Sequence, residues 1–260
     1  MRLPRRLDHS DSATLTEHLT ELRQRIFVSL IAVALAFGVA YAFRHSILAA
    51  LNRPIEDTQI DKPITFTVGE PFMTSFMISA YAAVCVALPV IVYQLWAFIA
   101  PAFEDRDQKI MSRLVVFATM LFVAGILFSY FIVLPSAIPF LLAFDSGEYD
   151  IMLRARDYYG FVALTSLVMG LVFEMPVILL GLVRIRVLTA DKLRRNRRLG
   201  IVICVVVAAA LPGVDPITTT MQAVPLLFLF EGSIWLATYF EKRWALAEAR
   251  DAEFAGTAAS

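Results

Sequence analysis

The sequence predicts an all-α, polytopic membrane protein: six transmembrane helices in one bundle, with both termini on the cytoplasmic side. Three observations predict it. Hydrophobic residues make up 59% of the 260-residue chain and charged residues only 18%, against about 45–50% and about 25% in a typical soluble domain. The apolar residues gather in six long runs, most of them near the ~20 residues that a bilayer core about 30 Å thick requires of a helix. The basic residues favour alternate connections. Segments 1–25, 99–113, 184–198 and 241–260 hold 18 of the 23 Lys and Arg, and the intervening segments hold 5, which assigns the richer side to the cytoplasm.

The first run covers 26–43. Ahead of it, Thr14-Leu15-Thr16-Glu17 fits a capping box. Leu15, Leu19, Leu22 and Ile26 share one face, so an amphipathic helix is expected along the interface before the crossing. The second run, 72–93, trails into Leu95-Trp96-Ala97-Phe98-Ile99. The third is 114–134, and the fourth, 158–183, is interrupted by Glu174. The fifth, 199–211, has only thirteen residues, roughly 20 Å of helix. Bilayer thinning, burial in a partner, or snorkelling of Arg197 and Arg198 would accommodate it. The sixth, 221–240, contains Glu231. Residues 1–240 are read as one membrane domain, and 241–260 as a disordered cytoplasmic tail. The first run is too long for the h-region of a cleaved signal peptide. With no transit peptide evident, the expected location is a bacterial plasma membrane.

Composition also excludes function classes. The 23 basic residues are balanced by 23 acidic ones, which argues against a nucleic-acid binder. Cys85 and Cys204 sit inside apolar runs without metal-ligand spacing, and His9, His18 and His45 are scattered, so no metal or cofactor is expected. The chain has no HExxH, Walker A loop or GxSxG elbow, and none of its histidines lies within the interior of a span. A non-enzymatic protein is the expectation.

Acidic residues stand out because they barely influence insertion. Glu21, Arg25 and Glu17 are spaced four apart on one helix face, so Glu21 reads either as an i,i+4 partner of Arg25 or as a docking group. The loop after Pro101 reads Phe103-Glu104-Asp105-Arg106-Asp107-Gln108-Lys109, placing three carboxylates on the basic side. These are either locally paired or a site for guanidinium, whose planar fork suits a carboxylate. Glu174, two residues before Pro176, and Glu231 lie within apolar runs, where an ionised acid is costly. Each would face a wet cavity or be hydrogen-bonded inside the bundle.

The string His18-Leu19-Thr20-Glu21-Leu22-Arg23-Gln24-Arg25 resembles the H-L-x-E-L-R-x-R signature of TatC, the multispanning subunit of the twin-arginine protein translocase. The likeness continues through Tyr93-Gln94-Leu95-Trp96-Ala97-Phe98-Ile99-Ala100-Pro101 and Phe131-Ile132-Val133-Leu134-Pro135 with Phe140-Leu141. It extends to Phe173-Glu174-Met175-Pro176, and to Asp215 followed by Pro225 and Phe230-Glu231. The resemblance implies a concave, glove-like bundle that serves as receptor and core scaffold. It would bind Arg-Arg signal peptides of folded cargo on the cytoplasmic face and recruit TatA- and TatB-type single-span subunits. Further copies of itself in the lipid bilayer are the other implied partners, and the proton motive force would drive export. The implied signal-peptide site comprises Glu21, Arg23, Pro101 and Asp107, and Glu174, Asp215 and Glu231 are the implied intramembrane candidates.

Two departures bear on this. Asp107 stands where the family usually has Glu, keeping the charge but shortening the reach. Val207-Ala208-Ala209-Ala210 and Thr219 replace polar residues that help some members dock their single-span partners. Two other classes compete: an ion-coupled small-solute secondary transporter using Glu174 and Glu231, and a purely structural assembly factor. The transporter reading lacks the internal repeat usual in such folds.

Overall fold

The computed structural model describes residues 15–56, 62–99, 108–144, 146–148, 151–213 and 215–258. Thr14, Pro101 and Asp107 lie outside them. Within these residues the regular structure is helical, apart from one isolated parallel bridge between Ile64 and Arg154. In chain order the elements are α1 (Leu15–Ala42), α2 (Arg44–Glu56), α3 (Glu70–Ile99), α4 (Gln108–Phe128), a π turn (Ser129–Val133) and α5 (Leu134–Ala143). They continue with α6 (Ala155–Phe173), α7 (Met175–Arg184), α8 (Ala190–Arg195), α9 (Arg197–Ala210) and α10 (Pro216–Ala258).

Helices are the answer to hydrocarbon, where each backbone N–H and C=O must be satisfied within its own segment. Five stretches are long and apolar enough to cross a membrane: His18–Ala42, Glu70–Phe98, Leu114–Ala143, Ala155–Arg184 and Pro216–Leu246. They coincide with the first four and the sixth of the predicted runs. The fifth run forms α9, whose 14 residues reach about 21 Å, as short as its sequence indicates. α1 is a single uninterrupted helix of 28 residues, so the expected interfacial segment and the crossing form one rod. The tail expected to be disordered is the end of α10, helical to Ala258. Its Ala, Glu, Leu and Arg residues are strong helix formers and need no apolar face to continue the helix.

Lipid tails are as apolar as leucine, so these helices associate by close van der Waals fit at small residues. Large side chains such as Leu35, Met120 and Phe228 point outward. Between α1 and α3 the seam is Ala36 against Ala83 and Ala87, flanked by Ala32, Val33 and Phe37. Between α4 and α6 it is Gly125 against the Met169–Gly170 backbone.

The packing sorts the helix ends onto two faces. On one face α1 begins and α3 ends, since Arg25 meets Gln94 and His18 meets Phe98. Trp96 lies against Gly181 of α7, and the Arg184 guanidinium lies 4.9 Å from the ring centroid of Trp244, so the ends of α7 and the later part of α10 join this face. The opposite face carries α2 and the segment 62–69. There Ile64 N–H donates to the Leu153 carbonyl at 2.8 Å, and Ala155 N–H donates to the Ile64 carbonyl at 2.8 Å. Arg154 Nε donates to Glu70 Oε1 at 2.7 Å and Phe66 N–H to Glu70 Oε2 at 3.0 Å. Three tyrosine hydroxyls tie α2 down: Tyr130 to the Ala50 carbonyl (2.6 Å), Tyr158 to the Leu51 carbonyl (2.6 Å) and Tyr159 to Asn52 Oδ1 (2.7 Å). The first of these has a local cause. Pro54 inside α2 lacks the N–H that would bond the carbonyl four residues earlier, and Tyr130 supplies the missing donor.

A Cβ added at Gly125 would lie 2.6 Å from the Met169 carbonyl oxygen and 2.9 Å from the Gly170 Cα, backbone atoms that cannot swing aside. Gly125→Ala is therefore expected to force α4 from α6 and destabilise the fold by about 1–3 kcal/mol. This would be read as a lower unfolding midpoint in detergent. Gly38→Ala on α1, with open space around it, should not lower that midpoint.

Candidate functional site

At the face where α1 begins, Glu21 and Arg25 sit one helical turn apart, toward α3. Arg25 Nε donates to Glu21 Oε1 at 3.0 Å, and Nη2 donates to the same oxygen. The third reach of the guanidinium crosses to the neighbouring helix, with Nη1 donating to Gln94 Oε1 at 3.3 Å. The other carboxylate oxygen, Oε2, faces His18 Nδ1 at 4.0 Å. The His18 ring in turn stacks on Phe98 with centroids 4.3 Å apart. The Glu21 and Arg25 side chains are 29% and 23% exposed, so the pair is sheltered between two helices yet open on one side. Both N–H groups converge on one oxygen, which leaves the second able to accept from an incoming donor.

Of the residues predicted for a docking site, Glu21 lies in this cluster. Arg23, two positions on, projects from another face as helical spacing requires, with its guanidinium 5.7 Å from the Phe27 ring centroid. Pro101 and Asp107 lie outside the described residues; they follow Ile99, the last residue of α3. Gln94, His18 and Phe98 complete the cluster, and sequence reasoning assigned them no part in it. All three belong to the family-like strings, and the i,i+4 spacing marked the Glu21–Arg25 pair, but the contacts across to α3 had no local signal.

The three intramembrane acids have three different situations. Glu174 is the joint between α6 and α7. Its N–H donates to the Leu171 carbonyl at 3.1 Å, and its carbonyl accepts from Val177 and Ile178 at 3.0 Å each. Pro176 at the start of α7 suits a first helical turn, where no N–H is required. The side chain is buried, and its Oε1 has no hydrogen-bond partner among the described residues, so a donor arriving there would meet an open acceptor. Asp215 caps α10: its Oδ1 accepts from Thr218 N–H at 2.8 Å, satisfying one of the free amides of a helix start. The loop before it closes through Gln222 Nε2, which donates to the Pro212 carbonyl at 2.9 Å, and through Gly213, whose φ of +121° favours glycine. Glu231 is paired, accepting from Arg197 Nε at the first residue of α9.

Lipid-facing helices with charges paired or placed at helix joints, and a half-sheltered acid at one end, define a multi-pass membrane protein. The comparisons with known proteins make this specific. A family model described as Sec-independent protein translocase protein (TatC) matches residues 17–225. The TatC of Carboxydothermus hydrogenoformans is 34% identical over 231 residues, 88% of this chain and 95% of that protein. The chloroplastic TATC of Arabidopsis thaliana is 33% identical over 236 residues, 90% of this chain and 69% of that one. The crystal structure of a twin-arginine translocase receptor, TatC, in DDM superposes with a TM-score of 0.77 at 36% identity, covering 85% of this chain and 99% of that chain. The chain belongs to the TatC family, a family of protein translocase subunits.

The Arg197–Glu231 pair yields a prediction of sign. Glu231→Gln removes a charge from an apolar run and should be tolerated. Arg197→Gln leaves a lone carboxylate there, and insertion scales put a charged residue at mid-helix at about 2.5–3.5 kcal/mol. The single Arg197→Gln variant should therefore unfold more readily in detergent than the double variant, in which Glu231→Gln restores neutrality.

Proposed function

We propose that this chain is the receptor and core scaffold of a twin-arginine translocase. The single observation that carries the reading is Glu21: a carboxylate held between α1 and α3, with one oxygen that accepts no hydrogen bond among the described residues, inside the string that marks the family. In this reading the face where α1 begins is cytoplasmic, where the basic connections concentrate. All six apolar runs cross, α9 by local thinning of the bilayer, and both termini share the cytoplasmic side. A bacterial plasma membrane is the proposed location.

Signal-peptide arginines would dock on Glu21 and on Asp107 in the loop that follows α3, with Arg23 and Pro101 shaping the approach. A single exposed ion pair contributes only about 0–1 kcal/mol, so charge alone selects poorly between arginine and lysine. Selection of Arg-Arg would rest on the planar fork, which presents two parallel donors to one carboxylate where lysine offers a point charge. Recruitment of TatA- and TatB-type subunits and of further copies of this chain would follow cargo docking, with transport driven by the proton motive force. Glu174 supplies a polar, open acceptor on the bundle that faces the cargo path. The solute-transporter reading needs Glu174 and Glu231 as ion sites, and Glu231 is already matched by Arg197.

Photocrosslinking tests the reading. A photoreactive residue at position 24 or 103 leaves both acids intact. A folded cargo with an Arg-Arg signal peptide is expected to crosslink, its Lys-Lys variant should not, and Glu21→Gln should abolish the difference. Equal crosslinking of both cargoes would refute the assignment.

A further inference from the structure

Resting on the receptor reading, we propose that Arg25 is a built-in stand-in for the ligand's guanidinium, that Gln94 is its second berth, and that competition with Arg25 makes the site select arginine over lysine. The observations are geometric. Arg25 already makes on Glu21 the contact a ligand arginine would make, through Nε and Nη2. Its remaining terminal nitrogen is engaged on Gln94 of the neighbouring helix. The guanidinium is thus poised between two acceptors, one charged and one neutral, and needs only side-chain rotation to favour the second.

A bare carboxylate at a membrane surface attracts any cation. Specificity then requires a penalty on the wrong ligand as well as a reward for the right one. Arg25 supplies the penalty. It is one turn away on the same helix and so always at high local concentration. An incoming group replaces it without loss only by presenting two N–H donors in one plane. An arginine does this, and Arg25 moves onto Gln94. A lysine ammonium offers one directed contact in place of two, and Arg25 keeps Glu21. His18 Nδ1 stands 4.0 Å from Oε2, so a donor that reaches the open oxygen still shares the carboxylate with Arg25, and Arg23 faces elsewhere.

The test uses the full-length chain in lipid nanodiscs and two synthetic signal peptides, Arg-Arg and Lys-Lys, with affinities measured by fluorescence anisotropy. Arg25→Gln is expected to tighten Lys-Lys binding by about two- to fivefold, the range an exposed ion pair spans, and to tighten Arg-Arg binding less, so that the selectivity ratio falls. Gln94→Leu removes the second berth without changing charge and should shift Arg-Arg affinity the opposite way, weakening it about twofold or more. Arg25→Lys, which keeps the positive charge at this helix position, should move selectivity in the same direction as Arg25→Gln by a smaller amount. A purely structural Arg25 would weaken both peptides in Arg25→Gln and Gln94→Leu alike. That outcome, or an unchanged selectivity ratio while Glu21→Gln still weakens Arg-Arg binding, would overturn the inference alone. Undiminished Arg-Arg binding in Glu21→Gln would overturn the receptor reading together with it.

Discussion

Inside a bilayer, a charge or a backbone polar group has no solvent to fall back on, and that constraint organises this molecule. It makes every long element a helix, and at the ends and breaks of those helices side chains supply partners that the helix itself does not. Tyr130 takes the Ala50 carbonyl that Pro54 orphans. Asp215 takes an amide at the start of α10. Arg197 reaches Glu231 from the first residue of α9. At the joint between α6 and α7 the constraint is left incompletely met, because Glu174 keeps a buried oxygen without a partner among the described residues. Thr165, Asp215 and Gln222 also keep buried polar atoms without a partner among the described residues, but Glu174 is the one that stands at a break between two membrane helices.

The Glu21 cluster depends on how α1 is held. α1 packs on α3 and, near its end, on α2, and most of its surface faces outward. Its attachment is the alanine seam at Ala36, Ala83 and Ala87 and, a few turns away, the Arg25–Gln94 bond and the His18–Phe98 stack. A site assembled on a seam of this kind responds to anything that shifts one helix on the other. This couples ligand binding at Glu21 to the position of α1 and to the segment that follows α3.

Much of the fold was legible in the sequence because hydrophobic length is a demand of the solvent, read from one segment at a time. The six runs, the shortness of the fifth and the break after Glu174 all came from local composition. The rest depended on contacts distant in sequence. α2 carries mixed polar and apolar residues, and its anchoring rests on tyrosines about eighty to more than a hundred positions away. Glu231 looked isolated because Arg197 is 34 residues distant. The 241–260 segment was read as disordered because it follows the last apolar run, yet strong helix formers carry α10 on to Ala258. In the candidate site, i,i+4 spacing made the Glu21–Arg25 pair visible, whereas the bridge to Gln94 required the packing of α1 on α3. The acid expected to act with Glu21, Asp107, lies outside the described residues.

The central claim, that Glu21 receives a ligand guanidinium, is most directly tested by a distance. Solid-state NMR dipolar recoupling between 13Cδ of Glu21 and guanidinium 15N placed only in the signal peptide would measure it in lipid. The account predicts strong dephasing, corresponding to a separation of about 4 Å as in a carboxylate–guanidinium pair. Absence of dephasing with peptide bound at saturation would contradict it.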